Sequence, residues 1–286
     1  MKFDAFIIGV QKAGTSSLKD LLSQHSNIVT HYTHEFCYFN DENYNTDDYP
    51  VWIREHFGEK SQNNKEVILG KNVDLFVSKK SLQRLKSNNP DIKIIICLRD
   101  PIKRIISAYD YLFYRGVESE KDFSKAIRLE NRSINNPHKF RSLNYLDTSS
   151  YCKNLDVVHS IFDSDKILIL KFEDLISDPQ LILKQVFDFL NIEPQKIDTS
   201  KKSNQGKTAI SPTLNRIFHS KNIFLKKIWK SISPENRTKL KNSFLRLNSR
   251  KKSKKTELSL NDAKYLRTKL KQDKELLKSK YGISFE

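Results

Sequence analysis

Short apolar runs alternate with longer amphipathic segments along the first two thirds of the chain. The runs are rich in β-branched residues and predict strands at residues 5–9, 67–70, 92–98 and 166–170. Apolar residues at helical spacing between the runs predict helices at residues 16–24, 78–87, 102–115 and 179–190. Apolar strands that are separated by helices are typical of a parallel sheet covered on both faces. We therefore predict an α/β fold of three layers, with helices flanking a central parallel sheet.

The pattern changes after residue 200. Residues 201–208 are polar and rich in lysine, and residues 212–233 then carry bulky apolar side chains at helical spacing with lysines between them. Residues 258–280 predict a terminal helix. We therefore divide the chain into a main domain at residues 1–210 and a basic helical region at residues 211–286, which packs on that domain or extends it.

The positive charge is concentrated in this C-terminal region. The chain has a net charge of +17, and residues 201–286 hold 24 Lys and Arg against 6 Asp and Glu. Such a tail indicates an anionic partner, or a solvated surface that aids solubility. The apolar stripe of residues 212–233 either packs on the main domain or lies on an anionic membrane surface. We expect no nucleic-acid partner, because the tail lacks stacking platforms and a recognition module.

The start of the chain and its cysteines bear on location. The apolar run at residues 3–10 follows the first methionine almost at once, without the pattern of a signal peptide, and no run approaches the roughly 20 apolar residues that span a bilayer. The three cysteines are odd in number, which disfavours a disulfide framework. We expect a cytoplasmic protein, attached peripherally at the inner membrane face if the basic tail binds lipid.

The first candidate site is a loop between a predicted strand and a predicted helix. Gly9 and Gly14 have the spacing of the phosphate loop G-x-x-x-x-G-K-[ST], but the lysine lies inside the loop as Lys12. Backbone N–H groups and the helix dipole would converge on a phosphate there, although the glycines could also serve a tight turn alone. Lys12 would offset negative charge on a leaving group. The predicted anion-binding residues are Gln11, Lys12, Ala13, Gly14, Thr15, Ser16 and Ser17.

A second candidate site begins where the predicted strand at residues 92–98 ends. Arg99 leaves the strand, Pro101 opens a helix, and Ser107 follows about two turns later. Arg99 and Ser107 can clamp a second anion, and Arg104 either joins them or is an exposed helix charge. Because both loops lie at the carboxyl ends of parallel strands, we expect one ligand with phosphate groups at two ends.

Residues 9–17 and 99–109 together resemble the PAPS-dependent sulfotransferases, most closely the branch of heparan-sulfate and bacterial carbohydrate sulfotransferases. The resemblance covers residues 3–200 and implies a P-loop-type fold, PAPS as donor and PAP as product. It also implies that the first loop wraps the 5′-phosphosulfate, that Arg99 and Ser107 hold the 3′-phosphate, and that the acceptor is a carbohydrate or another hydroxyl- or amine-bearing molecule. A metal is not expected, because a sulfuryl group carries less charge than a transferred phosphoryl group.

The same resemblance suggests the catalytic groups. Residues 34–39 resemble the Lys-Glu-Pro-His-Phe-Phe stretch of the family, which makes Glu35 the general base, with His34 or a purely surface role for Glu35 as alternatives. Lys71 matches a strand-end lysine that binds the sulfuryl oxygens or the acceptor, unless it is a surface charge. Lys207 lies where the family places a loop over the nucleotide and is a candidate for the 3′-phosphate or a solvated lysine. Residues 171–175 resemble a strand-end stretch of mainly structural role.

Three other interpretations compete with sulfuryl transfer. A P-loop kinase of a small metabolite would need Mg²⁺ and a lysine after Gly14, which residues 13–15 do not supply. A non-catalytic basic protein would use the tail on nucleic acid or membrane. A zinc site at His31, His34 and Cys37 is disfavoured because no second ligand cluster is visible. We therefore predict a sulfotransferase that works by in-line displacement, with Glu35 as base and Lys12 at the leaving group.

Overall fold

The computed structural model describes residues 1–57, 67–129, 143–200, 207–209, 243, 249–251 and 256–285. Its chain forms two compact units. The first holds residues 1–104, 148–203 and 267–286, and the second holds residues 105–147 and 204–266. The division at residue 210 that the sequence suggested stays a prediction.

A five-stranded sheet lies at the centre of the first unit, and each neighbouring pair of its strands is parallel. In chain order the strands are β1 Ala5–Gly9, β2 Ile28–Thr30, β3 Val67–Lys71, β4 Lys93–Leu98 and β5 Ile167–Lys171. Across the sheet the order is β2, β3, β1, β4, β5. The carboxyl ends of β3, β1 and β4 therefore lie side by side. The predicted parallel sheet is confirmed; β2, with three residues, is too short to give a recognisable pattern.

Helices connect and follow these strands. They are α1 Thr15–Leu22, α2 Tyr49–Phe57, α3 Lys79–Asn88, α4 Pro101–Tyr114, α5 Phe123–Ala126, α6 Tyr151–His159, α7 Phe172–Ser177, α8 Pro179–Leu190 and α9 Leu260–Tyr281. The predicted starts have local causes: Ser78 caps α3, and Asp178 caps α8 just before its first-turn proline. Helix α2 was not predicted, because aromatic residues interrupt its helical spacing.

An aromatic cluster anchors the segment that follows β2. Phe36 packs against Phe3 at a ring distance of 4.9 Å, and Phe39 packs against Phe6 at 5.8 Å, with all four rings fully buried. Edge-to-face pairs of this kind add to the gain from burying the rings. The cluster thereby fixes the backbone on the C-terminal side of Glu35 against β1.

The last helix supports α6 within the first unit. The Asp273 carboxylate of α9 accepts hydrogen bonds from the backbone N–H groups of Tyr151 and Cys152, at 2.8 and 2.9 Å. Farther along, Lys280 and Tyr281 both bind the Asp156 carboxylate. The predicted terminal helix is therefore confirmed, and it caps the N-terminus of α6. The predicted helix at residues 212–233 lies outside the described residues.

The second unit contains the rest of α4, helix α5 and a two-stranded antiparallel sheet of β6 Lys207–Ala209 and β7 Ser249–Lys251. Among its described residues, the Tyr145 hydroxyl donates to the Glu118 carboxylate at 2.9 Å. Lys207, expected in a loop, lies instead at the start of β6. None of the helices in the described parts of the chain is long and apolar enough to cross a bilayer.

Candidate functional site

The predicted anion loop connects β1 to α1. Helix α1 begins at Thr15, and within the described residues no side chain caps its N-terminus, so its first N–H groups face the loop. Gly14 has a φ of 78°, and a Cβ there would lie 2.6 Å from Phe172 Cδ2. Only glycine therefore fits this position without displacing the ring. Lys12 also has a positive φ, of 72°, which turns the loop between the two glycines.

Arg99, from the second candidate site, contacts this loop. Its Nη1 donates to the carbonyl oxygen of Lys12 at 3.0 Å, and its guanidinium lies 4.6 Å from the centre of the Phe172 ring. Tyr151, fully buried, donates to the carbonyl oxygen of Arg99 at 2.8 Å. The structure thus unites the ends of β1 and β4, as the parallel sheet predicted.

Phe172 and Glu173 contact the two candidate sites, and the sequence did not predict these contacts. The Phe172 ring lies against Gly14, and the Arg99 guanidinium lies 4.6 Å from the centre of the same ring. Glu173 Oε1 accepts a hydrogen bond of 3.1 Å from the backbone N–H of Asp100. The stretch at residues 171–175, predicted to be mainly structural, therefore contacts both candidate anion-binding elements.

Glu35 and Lys71 form an ion pair beside the loop, with the lysine buried and the glutamate partly exposed. Lys71 Nζ lies 2.6 Å from Glu35 Oε1 and also donates to Ser16 Oγ and to the carbonyl oxygen of His34, each at 3.1 Å. Glu35 Oε2 accepts from the backbone N–H of Val73 at 3.2 Å. Lys71 is only 1% exposed, so its alternative as a surface charge is wrong.

The electrostatics of this pair suit a base. Burial raises the pKa of Glu35 above its ordinary value, while the Lys71 ammonium and the hydrogen bond from Val73 act in the opposite direction. A carboxylate with a raised pKa is a stronger base once it is ionised. The Glu35 side chain keeps 23% of its surface exposed, which leaves an approach for an acceptor.

The two histidines of this segment differ in burial. The His34 side chain is exposed, and its backbone carbonyl oxygen accepts a hydrogen bond from Lys71. His31 is buried, and its two ring nitrogens lie within hydrogen-bond distance of the Lys71 backbone nitrogen and of Thr33 Oγ1. Burial, followed by nearby Lys19 and Lys71, lowers the pKa of His31 to about 2. Among the described residues no group of three His, Cys, Asp or Glu side chains is placed to hold a metal ion.

The structure gives the positions of three further candidate phosphate ligands. Arg104 is fully buried, so its alternative as an exposed helix charge is wrong. Ser107 lies half-buried on α4, in the second unit. Lys207 has only its backbone described, in β6. The assignment of Ser107 and Lys207 to a 3′-phosphate stays a prediction.

Comparisons with known proteins agree with the resemblance seen in the sequence. Residues 2–262 match the family model of the sulfotransferase domain. The chain is 27% identical over 195 residues to human heparan sulfate glucosamine 3-O-sulfotransferase 5, which covers 67% of this chain and 54% of that protein. It is 26% identical over 200 residues to mouse bifunctional heparan sulfate N-deacetylase/N-sulfotransferase 4, covering 66% of this chain and 22% of that protein.

Among solved structures, the chain resembles a sulfotransferase from Alicyclobacillus acidocaldarius with a TM-score of 0.59. The two are 23% identical, and the match covers 71% of this chain and 87% of the other, which shows a shared fold. The chain spans about half the length of the 3-O-sulfotransferases that it matches.

Proposed function

Because this chain belongs to the sulfotransferase domain family, we propose that it transfers a sulfuryl group from PAPS to a hydroxyl or amine of a carbohydrate acceptor. The contact of Lys71 with both Glu35 and Ser16 carries the proposal. It places a carboxylate and a cation beside a loop suited to phosphate. The names of the two relatives given above, both heparan sulfate sulfotransferases, support a carbohydrate acceptor.

The residues present fit the donor. The Nε of Arg99 is buried and has no hydrogen-bond partner among the described residues. A bound phosphate would supply that partner. The uncapped N-terminus of α1 would hold the 5′-phosphosulfate with residues 11–17. Arg99, with Ser107 and Lys207 as further candidates, would hold the 3′-phosphate.

The proposed reaction divides its roles among Glu35, Lys71 and Lys12. Bound PAPS supplies the sulfuryl group and leaves as PAP. Glu35 takes the proton of the acceptor hydroxyl while the acceptor oxygen forms its bond to sulfur and the bond from sulfur to the phosphate oxygen breaks. Lys71 stabilises charge on the sulfuryl oxygens, and Lys12 offsets charge on the departing phosphate.

Calorimetry and a transfer assay test this function. PAP should bind without Mg²⁺, whereas tighter binding of ATP in the presence of Mg²⁺ would favour a kinase. Binding of heparin without any nucleotide binding would favour a non-catalytic basic protein. Transfer from radiolabelled PAPS should then be measured to heparan sulfate, desulfated heparan and small alcohols. A protein that binds no PAP and labels none of these acceptors would contradict the proposal.

A further inference from the structure

Lys19 is a buried lysine in the middle of α1 that none of the roles above uses. Its Nζ donates to the carbonyl oxygen of His31 at 2.6 Å and to that of Thr33 at 2.8 Å. It lies four residues after Thr15, and therefore on the same buried face of the helix. These bonds tie the segment after β2 to the helix that follows the anion loop.

The tied residues in turn contact the catalytic pair. His31 Nε2 accepts from the backbone N–H of Lys71 at 3.1 Å, so the neutral ring carries its hydrogen on Nδ1. That Nδ1 donates to Thr33 Oγ1 at 3.0 Å, and the Thr33 hydroxyl donates to the carbonyl oxygen of Glu35 at 3.2 Å. A continuous set of hydrogen bonds thus runs from Lys19 to the backbones of Lys71 and Glu35.

A lysine at this position is costly for stability. Burial, and then repulsion from Lys71, lower the pKa of Lys19 to about 8. A leucine would pack beside Leu18 and Leu22 without that penalty, since a buried charge is often replaced by an apolar side chain with no loss of stability. The ammonium is therefore better explained by the backbone that it holds than by the stability of the helix.

We propose that Lys19 is a positioning residue that holds Glu35 and Lys71 in register with the anion loop. One helix then sets both sides of the site, because α1 also carries Ser16, which contacts Lys71 directly. The inference rests on the proposed role of Glu35 as base. Small displacements of a catalytic group lower kcat far more than donor binding.

The test compares Lys19→Met and Lys19→Arg with Lys80→Met, which makes the same change at an exposed lysine of α3. With PAPS and heparan sulfate, Lys19→Met should lower kcat by roughly 10- to 100-fold, while the KM for PAPS and the affinity for PAP change by about 2-fold or less. Lys19→Arg should restore part of kcat, and Lys80→Met should behave like the wild type.

Amide hydrogen exchange measures the positioning without any substrate. The amides of Lys71 and Val73, which bind His31 and Glu35, should exchange about 10-fold faster in Lys19→Met. If Lys19→Met does not fold, Thr33→Val replaces it in the test, because it keeps the buried lysine. We expect it to lower kcat and to speed amide exchange, each by a smaller factor. Unchanged exchange and unchanged kcat would overturn the inference. If the wild type neither binds PAP nor transfers sulfate, the proposed function fails, while amide exchange still decides whether Lys19 holds this segment.

Discussion

Arg99 Nη1 donates a hydrogen bond of 3.0 Å to the carbonyl oxygen of Lys12, which lies 87 positions earlier in the chain. The contact joins the ends of the neighbouring strands β4 and β1. The arginine therefore supports the backbone of the predicted anion loop with one nitrogen, and the proposed 3′-phosphate would bind the rest of its guanidinium. Substitution of Arg99 should consequently disturb both candidate phosphate sites.

Arg99→Ala should weaken PAP binding by roughly 10- to 100-fold, the range for losing hydrogen bonds to a charged group. Arg99→Lys should recover only part of this affinity, because an ammonium cannot replace the planar guanidinium. Ser107→Ala should have a smaller effect. Calorimetry with PAP measures all three, and Lys103→Ala, on the exposed face of α4, is the control. Equal affinities in every variant would place the 3′-phosphate elsewhere.

Lys12→Ala should lower kcat by roughly 10²- to 10³-fold, the scale for losing one charge that stabilises the transition state. PAP should still bind, since the backbone N–H groups at the start of α1 remain. The measurement is the rate of sulfuryl transfer at saturating PAPS. A variant as fast as the wild type would remove Lys12 from the leaving-group position.

Glu35→Gln should keep its affinity for PAP and lose most of its rate. In the wild type the rate should rise with pH as Glu35 ionises, at a pH above that of an ordinary carboxyl because burial raises its pKa. This limb of the pH profile should disappear in the glutamine variant. If the limb persists with unchanged position, the general base is His34, and His34→Gln becomes the next variant.

Gly14→Ala should lower PAP affinity at least about 10-fold and reduce thermal stability, because the new methyl group meets Phe172. Gly282→Ala is a matched control, since Gly282 also has a positive φ, of 67°, but no described atom beyond its chain neighbours lies within 4 Å of an added Cβ. Both substitutions carry the backbone strain, on the order of 1 kcal/mol. The difference between their melting temperatures therefore isolates the collision with Phe172, and equal losses would contradict it.

Lys19 gives a prediction for stability against pH. Its folded-state pKa of about 8 lies below the ordinary value of 10.5, so between these values the unfolded chain binds more protons than the folded one. The free energy of unfolding should then rise with pH through this window. Urea unfolding should show the wild type gaining stability relative to Lys19→Met as the pH is raised from about 8 to 10. A constant difference would mean that folding does not lower the pKa of Lys19.

The parts of the site that depend on neighbouring residues were predictable. The apolar run before Gly9 predicts β1, the glycine spacing predicts the loop, and Pro101 marks the start of α4, all as observed. The parallel sheet follows from the same local pattern, and it predicts that the loops carrying Lys12 and Arg99 lie at the same edge of the sheet. These features need no knowledge of what packs against them.

The parts that depend on distant contacts were not predictable. Phe172, which directly follows the carboxyl end of β5, contacts Gly14 and Arg99. The residues next to it in the sequence do not indicate these contacts. Lys19 offered one signal, a charged residue four positions after Thr15 on an otherwise apolar helix face. Arg104 fits either an exposed or a buried face of α4, and only the packed structure decides for burial.

The capping of α6 by Asp273 has a consequence for biosynthesis. The carboxylate and the Tyr151 amide that it binds lie 122 positions apart, and Tyr151 in turn supports Arg99. A ribosome therefore completes the sheet well before it makes the residue that steadies α6. Contacts between distant parts of a chain form late. We accordingly expect the predicted donor site to reach its final form only after residue 273 has been made.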